Sequence, residues 1–232
     1  FYDDKINAVK FGNEAESLIG KSGSRYCGDS FLLATGATLS EILKNSKLES
    51  GIQQIFYGVG VSIEVRSMDS NQSKVIRTPV RGGACGTYTI PYFQPDAKDQ
   101  NRILIGASNY ISTEPDYEGR LISIQHLMHT ATNQINMNFN DARLMRTNVG
   151  LRPISYDGYM LVGNAKFDNL FVVSGTKRDG FHMAPVISEE ITNQMLGGLP
   201  SEKFQLFHPE RKPIHNLGRS RAIELIVNSL MN

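Results

Sequence analysis

The amino-acid sequence predicts a mixed α/β protein of the α+β kind, with a small parallel sheet and a separate antiparallel sheet. Two apolar runs, DSFLLATGA at 29–37 and NLFVVSG at 169–175, are typical of strands buried on both faces of a parallel sheet. Between them, residues 56–106 alternate between apolar and polar side chains and are interrupted by turn residues, which is typical of antiparallel strands. Residues 117–136 form the clearest amphipathic helix pattern in the chain.

The N-terminal elements follow from periodicity and capping. KINAVKF at 5–11 alternates and predicts a strand, and the first buried run predicts another. TLSEILKN at 38–45 then predicts a short helix, for which Thr38 or Ser40 is available as the N-cap.

The middle of the chain predicts several strands followed by a helix. The strands are IFYGVGVSIEV, GTYTIPYF and RILIGAS. In the helix, apolar side chains recur every three or four residues and predict one buried stripe. The stripe consists of Leu121, Ile124, Met128, Ala131 and Ile135.

The C-terminal part predicts a strand–helix unit. GLRPISYDGYMLVGN at 150–164 predicts a loop and a strand, the second buried run predicts a strand, and VISEEITNQML at 186–196 predicts a helix. RAIELIVNSL at 221–230 predicts a last helix. The first and last parts of the chain would then share one parallel sheet, and the middle would form its own antiparallel sheet.

Bulk composition narrows the function classes. The chain has 24 Lys and Arg against 23 Asp and Glu, so no charge surplus favours a nucleic-acid or membrane partner, and we expect neither. The two cysteines, Cys27 and Cys85, have neither metal-ligand nor CxxC spacing, which favours a reducing compartment and a cytoplasmic location. The chain begins without Met inside a predicted strand, and we therefore expect it to be a fragment of a longer protein.

The stretch SGTKRDGFHMAP at 174–185 lies where the second buried strand meets a helix. Gly175 permits a tight turn and Gly180 permits close approach of a ligand to the backbone. The start of the helix offers unpaired N–H groups and the positive end of a dipole, and Arg178 adds a guanidinium that can bind a carboxylate or phosphate. An exposed, solvated turn of Lys177, Arg178 and Asp179 is the alternative interpretation.

Other candidate residues have structural alternatives as well. Pro153 forces an extended backbone on Arg152, whose side chain then projects from a loop or strand, although a surface arginine is the commoner case. Tyr88 is either a core residue or a site residue. His126 and His129 have no third ligand at suitable spacing, so we predict no metal site. No Ser or Cys lies in a nucleophile motif, and we predict no catalytic side chain.

Five segments together resemble a known family. In chain order, these segments are DSFLLATGATLSEIL, TYTIP, RILIGAS, GLRPISYDGYMLVG and NLFVVSGTKRDGFHMAPVISEEITNQMLGG. They resemble the C-terminal half of the FAD-dependent D-amino acid oxidase superfamily, with glycine oxidase and the thiamine-pathway oxidases most similar. The implied fold is the remainder of an FAD-binding Rossmann-like domain, residues 1–55 and 141–232, plus an antiparallel-sheet substrate-binding domain, residues 56–140.

The resemblance implies roles for three side chains in binding a small amino acid or amine. Arg152 of GLRP matches the arginine that binds the substrate carboxylate. Arg178 matches an arginine beside substrate and flavin, and Tyr88 matches the tyrosine that helps to close the site.

The resemblance also implies a set of cofactor contacts. Ile6 matches a position whose backbone faces the adenosine side, and Thr35 and Gly36 lie near the same part of FAD. The strand-to-helix turn passes along the isoalloxazine ring, and its members are Gly175, Thr176, Lys177, Arg178, Asp179, Gly180, Phe181 and His182. No cysteine lies near the Arg-Pro segment, where a covalent attachment would need one, so the FAD is expected to be non-covalent.

The implied function is oxidation of the C–N bond of an amino acid or small amine by hydride transfer to the flavin. The family's N-terminal GxGxxG unit is not in this sequence, so we expect the flavin site of this chain to be incomplete and the isolated chain to be inactive. Two alternatives are a dehydrogenase of the same superfamily, of the tRNA-modifying or glycerol-phosphate type, and a non-catalytic binding or assembly subunit. Assembly into a homo-oligomer is left open.

Overall fold

The computed structural model describes residues 3–49, 51–67, 72–79, 86–92 and 101–213. These residues divide into two compact units. The first unit contains the described residues up to Tyr57 and from Arg152 onward, and the second contains those from Gly58 to Leu151.

Within the described residues there are twelve strands and four α-helices. The strands are β1 (Ile6–Phe11), β2 (Ala15–Gly20), β3 (Arg25–Cys27), β4 (Phe31–Leu33), β5 (Ile55–Arg66), β6 (Ile76–Arg77), β7 (Tyr88–Pro91), β8 (Arg102–Gly106), β9 (Tyr110–Ser112), β10 (Arg143–Ser155), β11 (Leu161–Ala165) and β12 (Phe167–Ser174). The helices are α1 (Leu39–Asn45), α2 (Leu121–Gln134), α3 (Gly180–Met195) and α4 (Glu202–Gln205), with short 3₁₀ helices at Gly36–Thr38 and Met137–Asp141.

The first unit contains two three-stranded sheets. Strands β1, β2 and β3 form an antiparallel meander. The other sheet has the order β11-β12-β4, in which β12 is parallel to β4 and antiparallel to β11. Leu170, Phe171 and Val172 are consecutive and all buried, because both faces of β12 are covered.

Two apolar clusters cover the two faces of that second sheet. Leu170 and Val172 pack in one cluster with α1, β1 and β2. Phe171 packs in the other cluster with Ile187 and Ile191 of α3. The alternation of side chains along β12 therefore sends neighbouring residues into different cores.

The second unit is built on one antiparallel sheet with the strand order β10-β5-β8-β7-β6, and β9 also pairs with β5. One face of the sheet packs against α2 and the 3₁₀ helix that follows it. The fully buried contacts include Ile63, Ile105, Leu127 and Phe139. The prediction of a mixed α/β fold with a parallel strand pair and an antiparallel sheet is confirmed.

The predicted stripe of α2 is largely confirmed, because Ile124, Met128, Ala131 and Ile135 all lie in or pack against the core of the second unit. Leu121 opens the helix and its side chain is 82% exposed, whereas Leu127, outside the predicted stripe, is fully buried. Ser123 and Thr130 also lie on the buried face. Apolar periodicity therefore identified the buried side only in part, because small polar side chains occupy two of the buried positions.

Helix α3 begins at Gly180, six residues before the apolar pattern that begins at residue 186 and predicted the helix. Pro185 therefore lies inside the helix. Pro185 cannot donate a hydrogen bond to the carbonyl of Phe181. Both residues are exposed, and water can solvate that carbonyl.

Two sequence predictions fall outside the described residues: the last helix at 221–230 and the surroundings of Cys85. In the part of the chain that is described, no helix combines the length and apolar character needed to cross a membrane. The assignment of residues 1–55 and 141–232 to a cofactor domain, and of 56–140 to a substrate domain, stays a prediction.

Candidate functional site

The carboxyl ends of β4 and β12 lie at the same edge of the sheet because these two strands are parallel. Thr35 and Gly36 follow β4, and the turn of residues 175–179 follows β12. The hydroxyl of Ser174 donates a hydrogen bond of 2.9 Å to the carbonyl oxygen of Gly36. The structure therefore brings together two segments that are far apart in the chain and for which cofactor contacts were predicted from the sequence.

Gly175 turns the chain out of β12 with φ of +70°, a conformation that L side chains rarely adopt. A methyl group on Gly175 would lie 3.0 Å from the carbonyl oxygen of Tyr159 and 3.2 Å from Cα of Met160. The space beside Gly175 is filled by backbone atoms, which yield less readily than a flexible side chain. The turn therefore lies directly on the loop between β10 and β11.

A second contact joins this turn to GLRP. The backbone N–H of Lys177 donates a hydrogen bond of 2.9 Å to the carbonyl oxygen of Pro153. Arg152 and Arg178 are the chain neighbours of these two residues, so their backbones lie close together in the first unit. Arg152 is half-buried at the end of β10 and Arg178 is exposed in the turn.

Helix α3 starts at this edge without a side-chain cap. Asp179 occupies the N-cap position but makes no side-chain hydrogen bond to the helix. Phe181 is 93% exposed, and His182 is also exposed. The first N–H groups and the positive end of the helix dipole are consequently accessible to an anionic or electron-rich group.

The hydroxyl of Thr35 supplies a further indication of a missing polar partner. Its Oγ1 is buried and has no hydrogen-bond partner among the described residues. A buried hydroxyl without a partner costs about 1–3 kcal/mol. A methyl group on the adjacent Gly36 would meet no atom within 4 Å, so there is open space beside this motif. Residues at this edge therefore fit a bound group that has polar atoms.

Ile6 lies elsewhere in the first unit. It is the first residue of β1 and is paired with Gly20 of β2. Its half-buried side chain packs against the core that contains α1. The structure thus places Ile6 in a different sheet from β4 and β12.

Tyr88 belongs to the second unit and is half-buried in β7. It pairs with Gly106 of β8, and its ring lies across that glycine. A methyl group on Gly106 would lie 2.5 Å from the Tyr88 hydroxyl oxygen and 2.6 Å from Cζ. Glycine at position 106 therefore leaves the space that the tyrosine ring occupies.

A buried polar cluster lies on the same face of that sheet as Tyr88. It was not predicted from the sequence. Arg102 donates two hydrogen bonds to Glu64 Oε2, one of them from Nε at 3.0 Å. Asn148 Nδ2 and the hydroxyl of Tyr92 donate to Glu64 Oε1 at 2.9 and 3.1 Å. The signal in the sequence was a carboxylate inside an apolar strand, Ile-Glu-Val at 63–65.

The electrostatics of Glu64 are dominated by these partners. Burial alone would raise the pKa of the Glu64 carboxyl, but the hydrogen bonds from Arg102, Asn148 and Tyr92 outweigh it and lower that pKa. The ionised carboxylate therefore ties β5 to β8 and β10.

The histidine pair on α2 lies on the exposed side of the helix, where the side-chain amide of Asn133 contacts His129. Among the residues that the structure describes, no group of three or more His, Cys, Asp or Glu side chains is arranged to hold a metal ion.

Comparison with known proteins identifies one family. The model of the family described as FAD dependent oxidoreductase, DAO, matches residues 2–194. No curated protein sequence matches the chain. The predicted resemblance to this superfamily, with FAD as its cofactor, is confirmed by the family match.

Solved structures of similar fold include oxidases and a dehydrogenase. Iminodiacetate oxidase from Chelativorans sp. BNC1 has a TM-score of 0.70 and 17% identity, covering 90% of this chain and 53% of that one. Glycine oxidase from Geobacillus kaustophilus has a TM-score of 0.70 and 17% identity, with coverages of 91% and 53%. L-proline dehydrogenase from P.horikoshii has a TM-score of 0.64 and 15% identity, with coverages of 89% and 53%. The chain therefore spans about half the length of these proteins, and the likeness concerns the fold.

Proposed function

Because the chain belongs to the family of FAD-dependent oxidoreductases, we propose that the whole protein oxidises the C–N bond of an amino acid or a small amine. The observation that carries this proposal is the junction of three motifs at one sheet edge. The hydrogen bond from Ser174 to Gly36 and the hydrogen bond from Lys177 to Pro153 join them. Two of the similar structures, glycine oxidase and iminodiacetate oxidase, support this substrate class.

We propose that non-covalent FAD is held in part by this edge and that Ile6, from the other sheet of the first unit, contributes backbone toward the adenosine side. When bound, FAD supplies a two-electron acceptor. Thr35 Oγ1 offers a hydrogen-bonding group to the cofactor, and the first N–H groups of α3 favour negative charge on it. The contacting residues proposed here are Ile6, Thr35, Gly36, Gly175, Thr176, Lys177, Arg178, Asp179, Gly180, Phe181 and His182.

For the substrate, we propose that Arg152 binds a carboxylate through two parallel N–H···O bonds, which fixes the orientation of the substrate. Arg178 adds positive potential in the adjacent turn. Tyr88, whose ring is held across Gly106, contributes an aromatic contact. No protein general base is required in this scheme if the substrate amine arrives deprotonated.

Replacing Arg152 tests the substrate class in the whole protein. We expect Arg152→Ala to raise KM for an amino acid about 10- to 100-fold, because charge-assisted hydrogen bonds contribute about 1.5–3 kcal/mol each. Arg143→Ala is the matched control, since Arg143 is an exposed arginine at the other end of the same strand. An unchanged KM in Arg152→Ala would redirect the proposal to simple amines or to another arginine.

A dehydrogenase of the same family is the second candidate, and the similar fold of L-proline dehydrogenase favours including it. The two candidates differ in the electron acceptor. An oxidase releases one hydrogen peroxide for each substrate oxidised in air, whereas a dehydrogenase turns over only with an added acceptor. Peroxide measured against substrate consumed decides between them.

A further inference from the structure

A buried ion pair outside the proposed site joins Asp157 to Arg211. The Asp157 side chain is fully buried and that of Arg211 is 9% exposed. Arg211 Nη2 lies 2.8 Å from Asp157 Oδ1 and 2.9 Å from Oδ2. Burying two charges carries a large desolvation cost, and an apolar pair of similar volume is often no less stable. A contribution to stability therefore does not by itself account for the pair.

The carboxylate of Asp157 organises the loop between β10 and β11. It accepts hydrogen bonds from the backbone N–H of Tyr159 at 3.0 Å and from the hydroxyl of Ser155 at 3.3 Å. The side-chain amide of Gln53 also donates to it, at 3.1 Å. Together with Arg211, these donors hold the carboxylate from several directions.

The guanidinium of Arg211 also bonds to the backbone of the same loop. Its Nη1 donates to the carbonyl oxygens of Met160 and His208, each at 3.1 Å. The carbonyl oxygen of Arg211 in turn accepts a hydrogen bond of 3.3 Å from Gln53. Three segments distant in sequence, at residue 53, at 155–160 and at 208–211, are thus tied to one point.

The turn that follows β12 rests on this tied loop. A methyl group on Gly175 would lie within 3.0–3.3 Å of Tyr159, Met160 and Ser155. The N–H of Lys177 is bonded to Pro153, and Lys177 Nζ would lie 3.0 Å from a methyl group on Gly158. Any displacement of the loop therefore moves the surface against which the turn is packed.

We propose that the Asp157–Arg211 ion pair is a latch that sets the position of the turn at residues 175–179. Arg211 lies beyond residue 194, where the family match ends. The role of the turn in holding FAD rests on the proposed function, but the latch itself does not. Asp157 and Arg211 act through the backbone of the turn and are positioning residues.

Limited proteolysis tests the latch, because Lys177 and Arg178 in the exposed turn are both trypsin sites. The whole protein is compared in four forms: wild type, Asp157→Asn, Arg211→Met and Arg211→Lys. Glu190→Gln is the matched control, since Glu190 is a buried carboxylate of the first unit that accepts hydrogen bonds from Gln194 and Ser201 near the other end of α3. Each variant is digested at the temperature that gives it the same distance from its own Tm.

Cleavage after Lys177 and Arg178 is expected to accelerate about tenfold in Asp157→Asn and Arg211→Met, because proteolysis follows the population of the open turn. Arg211→Lys keeps the charge but lacks the second nitrogen that donates to Met160 and His208, and its cleavage rate is expected to lie between wild type and Arg211→Met. If Asp157→Asn and Arg211→Met do not fold, the cleavage rate of Arg211→Lys alone tests the latch. Unchanged cleavage in the folded variants, or equal acceleration in Glu190→Gln, overturns the latch.

A flavin readout separates the latch from the proposed function. In the FAD-bound protein, Arg211→Lys is expected to weaken FAD binding and to shift the visible absorbance spectrum of the flavin, both of which Glu190→Gln should leave unchanged. Accelerated cleavage supports the latch whatever the flavin does. If cleavage accelerates while FAD affinity and spectrum stay as in wild type, the latch stands and the proposed contact between turn and flavin is overturned.

Discussion

At the scale of single residues, Gly175 and Glu64 each depend strongly on side-chain identity. Gly175 combines a left-handed backbone with close backbone neighbours, whereas Glu64 depends on four hydrogen bonds from three different side chains. The two positions lie in different units, so their substitution probes each unit separately.

Substitution of Gly175 by alanine is expected to destabilise the protein by about 2–4 kcal/mol, the sum of a strained φ and a displaced loop. Gly197→Ala is the control: Gly197 has φ of +87°, but a methyl group there meets no atom within 4 Å. It should cost only about 1 kcal/mol. Denaturant unfolding measures both values, and equal losses would show that crowding at Gly175 has no effect.

The Glu64 cluster predicts a specific pH dependence. The folded-state pKa of Glu64 is lowered, so its stabilising effect is complete above the unfolded-state pKa and is lost as pH falls through the folded-state value. Glu64→Gln is expected to cost about 3 kcal/mol at neutral pH, because Arg102 is left without its charged partner. The difference in unfolding free energy between wild type and variant should shrink below about pH 4. A difference that is constant across this range would contradict an ionised Glu64.

At the scale of elements, uninterrupted apolar runs were the most reliable sequence signal. β4 and β12 were predicted as buried parallel strands because three consecutive apolar residues in a strand need cover on both faces. The buried side of α2 was predicted in part: Leu121 is exposed, and Ser123 and Thr130 face the core but carry no apolar signal.

Two leucines of α2 provide a direct test of which side of the helix is buried. Leu127→Ala is expected to destabilise the second unit by about 2–5 kcal/mol, because it opens a cavity between the helix and the sheet. Leu121→Ala, at an exposed position of the same helix, should change stability by no more than about 0.5 kcal/mol. Thermal unfolding monitored by circular dichroism measures both, and a larger loss at Leu121 than at Leu127 would contradict the burial of Leu127.

At the scale of the whole molecule, long-range contacts limited what local patterns could predict. Ser174 and Gly36 are 138 residues apart, and Asp157 and Arg211 are 54 apart. Neither pair has a local periodicity that would reveal it. The two buried apolar runs, interpreted as strands of one parallel sheet, did predict that the first pair of segments would meet, whereas Arg211, after the residues of the family match, carried no such signal.

The share of the relatives that this chain spans leads to a prediction about FAD. The chain covers 53% of the length of glycine oxidase from Geobacillus kaustophilus, so we expect the 232-residue chain alone to retain no stoichiometric FAD. Gel filtration after incubation with FAD, followed by the visible absorbance of the protein peak, measures this. A yellow peak with one flavin per chain would contradict the prediction.

The parallel pairing of β4 with β12 has a consequence for the order of folding. Residues 31–33 must find residues 170–172, and the whole continuous stretch of the second unit lies between them. Closing so long a loop is entropically costly, whereas the hairpins of the second unit close shorter ones. During synthesis the second unit can therefore form before β4 pairs with β12. The sheet edge that carries the candidate site is then among the last parts of the protein to be assembled.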